Sequence, residues 1–151
     1  MRIELDDVSR PEVVALVEYH LRSMHEISPP DSVFALDLSG LKHSSVTFWT
    51  IWDGTELLGM GGLKQLDAEH GEIKSMRTAP AALRRGVGRA MLDHIVREAR
   101  TRRYRRLSLE TGSNAPFAAA WALYERAGFA PCPPFGTYTD INFSRYFTIE
   151  L

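Results

Sequence analysis

The chain has 151 residues, 44% of them hydrophobic, and a formal net charge of −1, the size and balance of one globular domain able to bury a proper core. It holds no run of about 18 apolar residues, and its start, "MRIELDD", lacks the charged-then-apolar pattern of a signal peptide, so no membrane partner and a cytoplasmic location are expected. The single cysteine, Cys132, excludes an internal disulfide and a cysteine-based zinc cluster, and the five histidines (His20, His25, His43, His70 and His94) show no ligand-like pairing, so no metal is expected.

In chain order, "RIEL" reads as an opening strand. Ser9 and Glu12 stand at capping-box spacing before Val13, Leu16, Val17, Leu21 and Met24, which predicts the first helix. "EISPPDS" breaks that helix, and "VFALDLSGLKH" fits a short helix and loop over one edge of the domain, a flap able to cover a ligand. "VTFWTIW" and "ELLGMGGLKQL" flank the hairpin signal "DGT", and "GEIKSMRT" follows a turn at 67–70, so three strands form an antiparallel meander. A helix starts near Gly86 with Val87, Ala90, Met91, His94 and Ile95 on its apolar face. "RRLSLET" is a strand, "FAAAWALYERA" a helix closed by Gly128, and "FAPCPPFGTYTDINFSRYFTIEL" two strands with a proline-rich connection. The sum is one α/β (mixed α+β) domain over 1–151, with about seven strands in a mixed, mostly antiparallel sheet and about four helices.

Gly86 and Gly88 open their helix although a helical glycine costs about 0.5–1 kcal/mol relative to alanine. Bare residues there let an anion reach the unpaired N–H groups of the first turn, and Arg84, Arg85 and Arg89 stand alongside. A dinucleotide fingerprint needs a third glycine where Met91 stands, and a P-loop needs Lys and then Ser or Thr after Gly88, where Arg89 and Ala90 stand. A tight turn with solvated arginines stays open on these residues alone. Nine arginines crowd into residues 84–106, but the balanced whole-domain charge lacks the basic signature of a nucleic-acid binder, and none is expected as partner.

The run "MRTAPAALRRGVGRAML" resembles the acyl-CoA pyrophosphate loop of the GNAT superfamily of N-acetyltransferases, Gln/Arg-x-x-Gly-x-Gly/Ala after a strand and a proline. Gly86 and Gly88 fit; Leu83 departs from Gln/Arg, a change that a backbone-built site tolerates, with Arg84 or Arg85 to supply the charge. "ALYERAGF" resembles the later "x-L-Y-x-x-x-G-F" segment of the same superfamily. "SPPDSVFALDL" and "PCPPFGTY" look like a bacterial subgroup of small-molecule acetyltransferases. The resemblance implies a GNAT-type fold and direct attack of a neutral amine on acetyl-CoA, with the backbone of Arg84, Arg85, Gly86, Val87, Gly88 and Arg89 on the pyrophosphate. It implies Met76, Arg77 and Thr78 along the pantetheine, an N–H near Met76 for the oxyanion, and Tyr124 as proton donor to the thiolate. Asn114 stands three residues before Phe117, the position where the family often has asparagine, and is assigned to the pantetheine.

An alkyl ammonium with a pKa of about 10.4 needs about 4.6 kcal/mol to lose its proton at pH 7, so a base helps. Strand alternation puts Glu72, Lys74 and Met76 on one face, and "GEIKSM" resembles the strand where some relatives carry a glutamate base. Glu72 is the candidate; an ion pair with Lys74, with ordered water as the base, stays open, as does a core role for Tyr124. Met24, His25, Phe34, Trp49, Lys64, Lys74 and Tyr138 are the acceptor-pocket candidates, and the expected partner is a small polar amine, with a carboxylate as an option. A homodimer stays open. A non-catalytic acyl-CoA sensor is the alternative function.

Overall fold

The computed structural model describes residues 1–139 and 143–151; residues 140–142, part of the proline-rich connection, lie outside the described residues. Its elements follow the predicted order: β1 (Arg2–Leu5), α1 (Pro11–Ile27), α2 (Leu38–Leu41), β2 (Val46–Asp53), β3 (Glu56–Gln65), β4 (His70–Thr78), α3 (Val87–Thr101), β5 (Arg106–Gly112), α4 (Ala118–Arg126), β6 (Ala130–Cys132) and β7 (Ser144–Glu150). The seven strands form one sheet in the order β1-β2-β3-β4-β5-β7-β6. Every neighbouring pair is antiparallel except β4 and β5, as the crossover through α3 requires.

Alternation along the strands splits the core into two layers. Ile51, Leu63 and Leu107 meet Met91, Leu92 and Ile95 of α3 on one face, while Phe48, Trp52 and Met60 meet Val13 and Val17 of α1 on the other. Gly61 lets α3 come close: a Cβ there would lie 2.7 Å from Met91 Cγ. No described helix is long and apolar enough to cross a membrane.

Two expectations are corrected. The capping box of α1 does not form: its N-cap is Arg10 without a side-chain cap, and Ser9 Oγ turns back to Asp7. Pro11 presets the first turn, and Arg10 is fixed by Glu4 at 2.7 Å and Asp6 at 2.6 Å, so the start needs no Ser9. The alternation of β4 also breaks. Ser75 has φ +57°, and because Met60 opposes Arg77 while Gly62 opposes Lys74, both Ser75 and Met76 face Gly61 alone. This bulge carries Met76 to the α3 face, where its sulfur would be 2.9 Å from a Cβ on Gly61, so Met76 does not share the face of Glu72 and Lys74.

β4 and β5 are in register only at His70↔Arg106, Gly71↔Leu107 and Glu72↔Ser108. Past Glu72 the two strands part, and the sheet opens into a wedge.

Candidate active site

The wedge holds a cavity of about 520 Å³, walled by β4 from Glu72 to Thr78, β5 from Leu109 to Gly112, the end of α1, and the predicted flap at Val33 to Ala35. Met76, Arg77 and Thr78 line it. Beyond Glu72 the edges of β4 and β5 that face each other have no ladder partner, so an extended chain can add between them.

The wall ends at Leu83, and residues 84–89 do not line it. Gly86 is the N-cap of α3 with φ +78°, a conformation that L side chains rarely take, and no side chain caps the first-turn amides of Val87, Gly88 and Arg89. A Cβ on Gly86 would meet nothing within 4 Å, so the approach to those amides is open. The arginine side chains do less than expected there. Arg85 turns to Glu56 at 3.0 Å and Asp53 at 3.5 Å, and Arg89 to Asp93 at 3.0 Å. Arg102 and Arg105 likewise have Glu98 and Glu69 as partners, which breaks up the basic run.

Two carboxylates meet at the throat of the wedge. Glu72 is buried, and its Oε2 accepts from Tyr138 Oη at 2.5 Å and Lys74 Nζ at 3.4 Å. Lys74 also donates to the Phe34 carbonyl at 3.0 Å and to Tyr138 Oη at 3.1 Å, so its three protons are spoken for. Glu110, which sequence reasoning did not place in the site, lines the same cavity from β5. Burial raises its pKa to about 7, against the hydrogen bond from Ser144 Oγ at 2.8 Å and the charge of Lys74, and with the charge of Glu72. It is thus divided between acid and base at neutral pH. The alternation of "RLSLET" sets Ser108 and Glu110 on one face; what buries Glu110 lies on β4 and β7, far away in sequence.

Tyr124 lines the cavity from α4, buried against the edge of Phe129, and burial raises its pKa; among the described residues its hydroxyl has no hydrogen-bond partner. Asn114 is not in the wall: its Nδ2 donates to the Ile27 carbonyl at 2.9 Å and ties the start of α4 to the end of α1. Of the expected acceptor residues, Met24, Phe34 and Lys74 line the cavity. His25 is exposed, Trp49 is a core residue edge-on to His94, Lys64 opposes Glu72 in the β3–β4 ladder, and Tyr138 stands behind Lys74.

The sequence matches the acetyltransferase (GNAT) family over residues 13–129. It is 50% identical over 151 residues to the uncharacterized N-acetyltransferase YsnE of Bacillus subtilis, with 100% of both chains covered. It is also 50% identical over 149 residues to the uncharacterized N-acetyltransferase YedL of Escherichia coli, over 99% of this chain and 94% of that one. A GNAT family acetyltransferase of Elizabethkingia anophelis, solved with acetyl-CoA bound, shares the fold at a TM-score of 0.71 and 19% identity, over 99% of this chain and 97% of that one. The family match runs from α1 through the glycine turn to the end of the Tyr124 helix, and the chain therefore belongs to the GNAT family as an acetyl-CoA-dependent acyltransferase.

Proposed function

We propose that this one domain, over residues 1–151 and working in the cytoplasm, moves the acetyl group of acetyl-CoA to a primary amine of a small molecule in a ternary complex. The observation that carries this is the split between β4 and β5, which leaves an open backbone edge beside a carboxylate that titrates near neutrality. The thioester supplies the activated acetyl group; the chain supplies position, a proton acceptor and a proton donor. First-turn amides at 86–89 hold the pyrophosphate, as an uncapped helix N-terminus holds any anion. Met76 to Thr78 hold the pantetheine by strand addition.

Glu110 takes the proton of the incoming ammonium, directly or through water. Burial, with a smaller push from the neighbouring Glu72, keeps Glu110 basic enough to do so, and Lys74 and Tyr138 hold the Glu72 carboxylate in place. Nitrogen then bonds to the acetyl carbon, the Met76 N–H at the bulge faces the oxygen that gains charge, the carbon–sulfur bond breaks as the carbonyl re-forms, Tyr124 gives its proton to the departing sulfur, and the second proton of the nitrogen passes through water to restore Tyr124. Every side chain named comes from one copy of the chain.

The test is a panel of amines with acetyl-CoA, read by release of free thiol. Turnover above the amine-free background supports transfer; saturable CoA binding with no turnover on any amine overturns it in favour of an acyl-CoA sensor.

A further inference from the structure

The bulge at Ser75 that sends Met76 to α3 sends Arg77 the other way, to α1, where its side chain lines the cavity half-buried. Arg77 Nε donates to His20 Nδ1 at 2.9 Å, and the guanidinium stands 5.5 Å from the Tyr19 ring. Neither partner cancels its charge. His20 is buried on α1, and burial together with the charges of Arg77 and Lys74 lowers its pKa to about 3, so it is a neutral acceptor. Among the described residues Arg77 has no carboxylate partner: Glu72 is taken by Lys74 and Tyr138, Glu110 accepts from Ser144, and Glu26 reaches the rim without bonding to it. Among the described residues, only one of the five N–H donors of the guanidinium is used. Desolvation weighs on this cation, and no carboxylate among the described residues offsets it.

We propose that Arg77 is the anchor for a carboxylate on the acceptor, so that the substrate class is an amino acid or a close relative carrying both a primary amine and a carboxylate. This rests on the acetyl-transfer reading of the same cavity. The wall then matches a zwitterion, with Glu110 and Glu72 toward the ammonium and the planar fork of Arg77 toward the carboxylate, where paired charge-assisted bonds are strongest.

The experiment uses the common L-amino acids, each paired with its α-amide, as acceptors for the full chain, its Arg77→Met variant and its Arg77→Lys variant. For wild type, kcat/KM of an accepted acid exceeds that of its amide by about ten- to a hundredfold, the weight of a charge-assisted hydrogen bond. Arg77→Met brings that ratio close to one, and Arg77→Lys restores part of it. The proposal falls if acid and amide are used alike by wild type, if Arg77→Met keeps the preference, or if Arg77→Met weakens CoA binding and leaves the preference intact. Calorimetry of the same amino acids on the CoA-loaded protein separates the two readings. Acid-selective binding lost in Arg77→Met, with no acetylation, upholds the carboxylate site and overturns transfer; acetylation without acid selectivity does the reverse.

Discussion

Tyr138 Oη donates to Glu72 Oε2 across 2.5 Å, and so the Tyr138 side chain closes over the middle of β4. Replacing Tyr138 with Phe keeps the ring against Phe34, Phe135 and Tyr146 but leaves the buried carboxylate one donor short. A hydrogen bond to a charged partner is worth roughly 1.5–3 kcal/mol, and Tyr138→Phe is expected to lose that much in urea unfolding at pH 7. Unchanged stability would mean that Lys74 alone suffices to hold Glu72.

Glu110 is expected to set both a rate limb and a stability slope. Its folded-state pKa of about 7 lies above the ordinary glutamate value of 4.5, so its contribution to stability is full below about 4.5 and is lost as pH rises through 7. Glu110→Gln removes that loss: relative to wild type it gains up to about 3 kcal/mol between pH 5 and 8, read from Tm against pH. Turnover moves the other way, falling about 10²–10⁴-fold with loss of the acid limb near pH 7. A variant with the wild-type pH–rate profile would return the base role to Glu72 or to water.

Gly86→Val is expected to weaken CoA binding more than about tenfold in calorimetry, because its side chain enters the open approach to the α3 amides. The positive φ adds backbone strain of about 1–2 kcal/mol that has nothing to do with CoA. Gly54→Val is the control, with φ +57° and nothing within 4 Å of its Cβ at the β2–β3 turn. It is expected to lower Tm comparably and leave the CoA dissociation constant unchanged. Equal CoA affinity in all three proteins would rule out the α3 N-terminus as the pyrophosphate site.

For Tyr124→Phe the maximal rate is expected to fall by more than about tenfold with little change in Tm, since the ring keeps its contact with Phe129 and the hydroxyl has no described hydrogen bond to lose. A thiolate is a fair leaving group, so some activity remains. An equally fast variant would make water the proton source.

The element order was legible from periodicity and turn residues, and the glycine turn from the misfit of Gly86 and Gly88 with a helix. What could not be read came from contacts across the sheet. The bulge sits at Ser75, not at a glycine, so nothing local announces that Arg77 and Met76 change faces. Glu110 reads as an ordinary strand residue until Ser144, 34 residues on, and Glu72 on the neighbouring strand surround it. Asn114 has the right type near the right place, but the Ile27 carbonyl at the end of α1 claims its amide. Ser9 lost its capping role to the neighbouring Pro11, whose geometry outranks a side-chain cap.

The last strand in sequence, β7, is not an edge of the sheet but is inserted between β5 and β6. While a ribosome is still making the chain, β6 has nothing to pair with, and β5 shows an open edge until Ser144 to Glu150 emerge. Glu110 meanwhile lacks Ser144 and the cover that raises its proton affinity. Docking of β7 therefore closes the sheet and, on the proposed mechanism, completes the surroundings of the base in the same late event, after the α3 turn proposed to hold the nucleotide can already have formed.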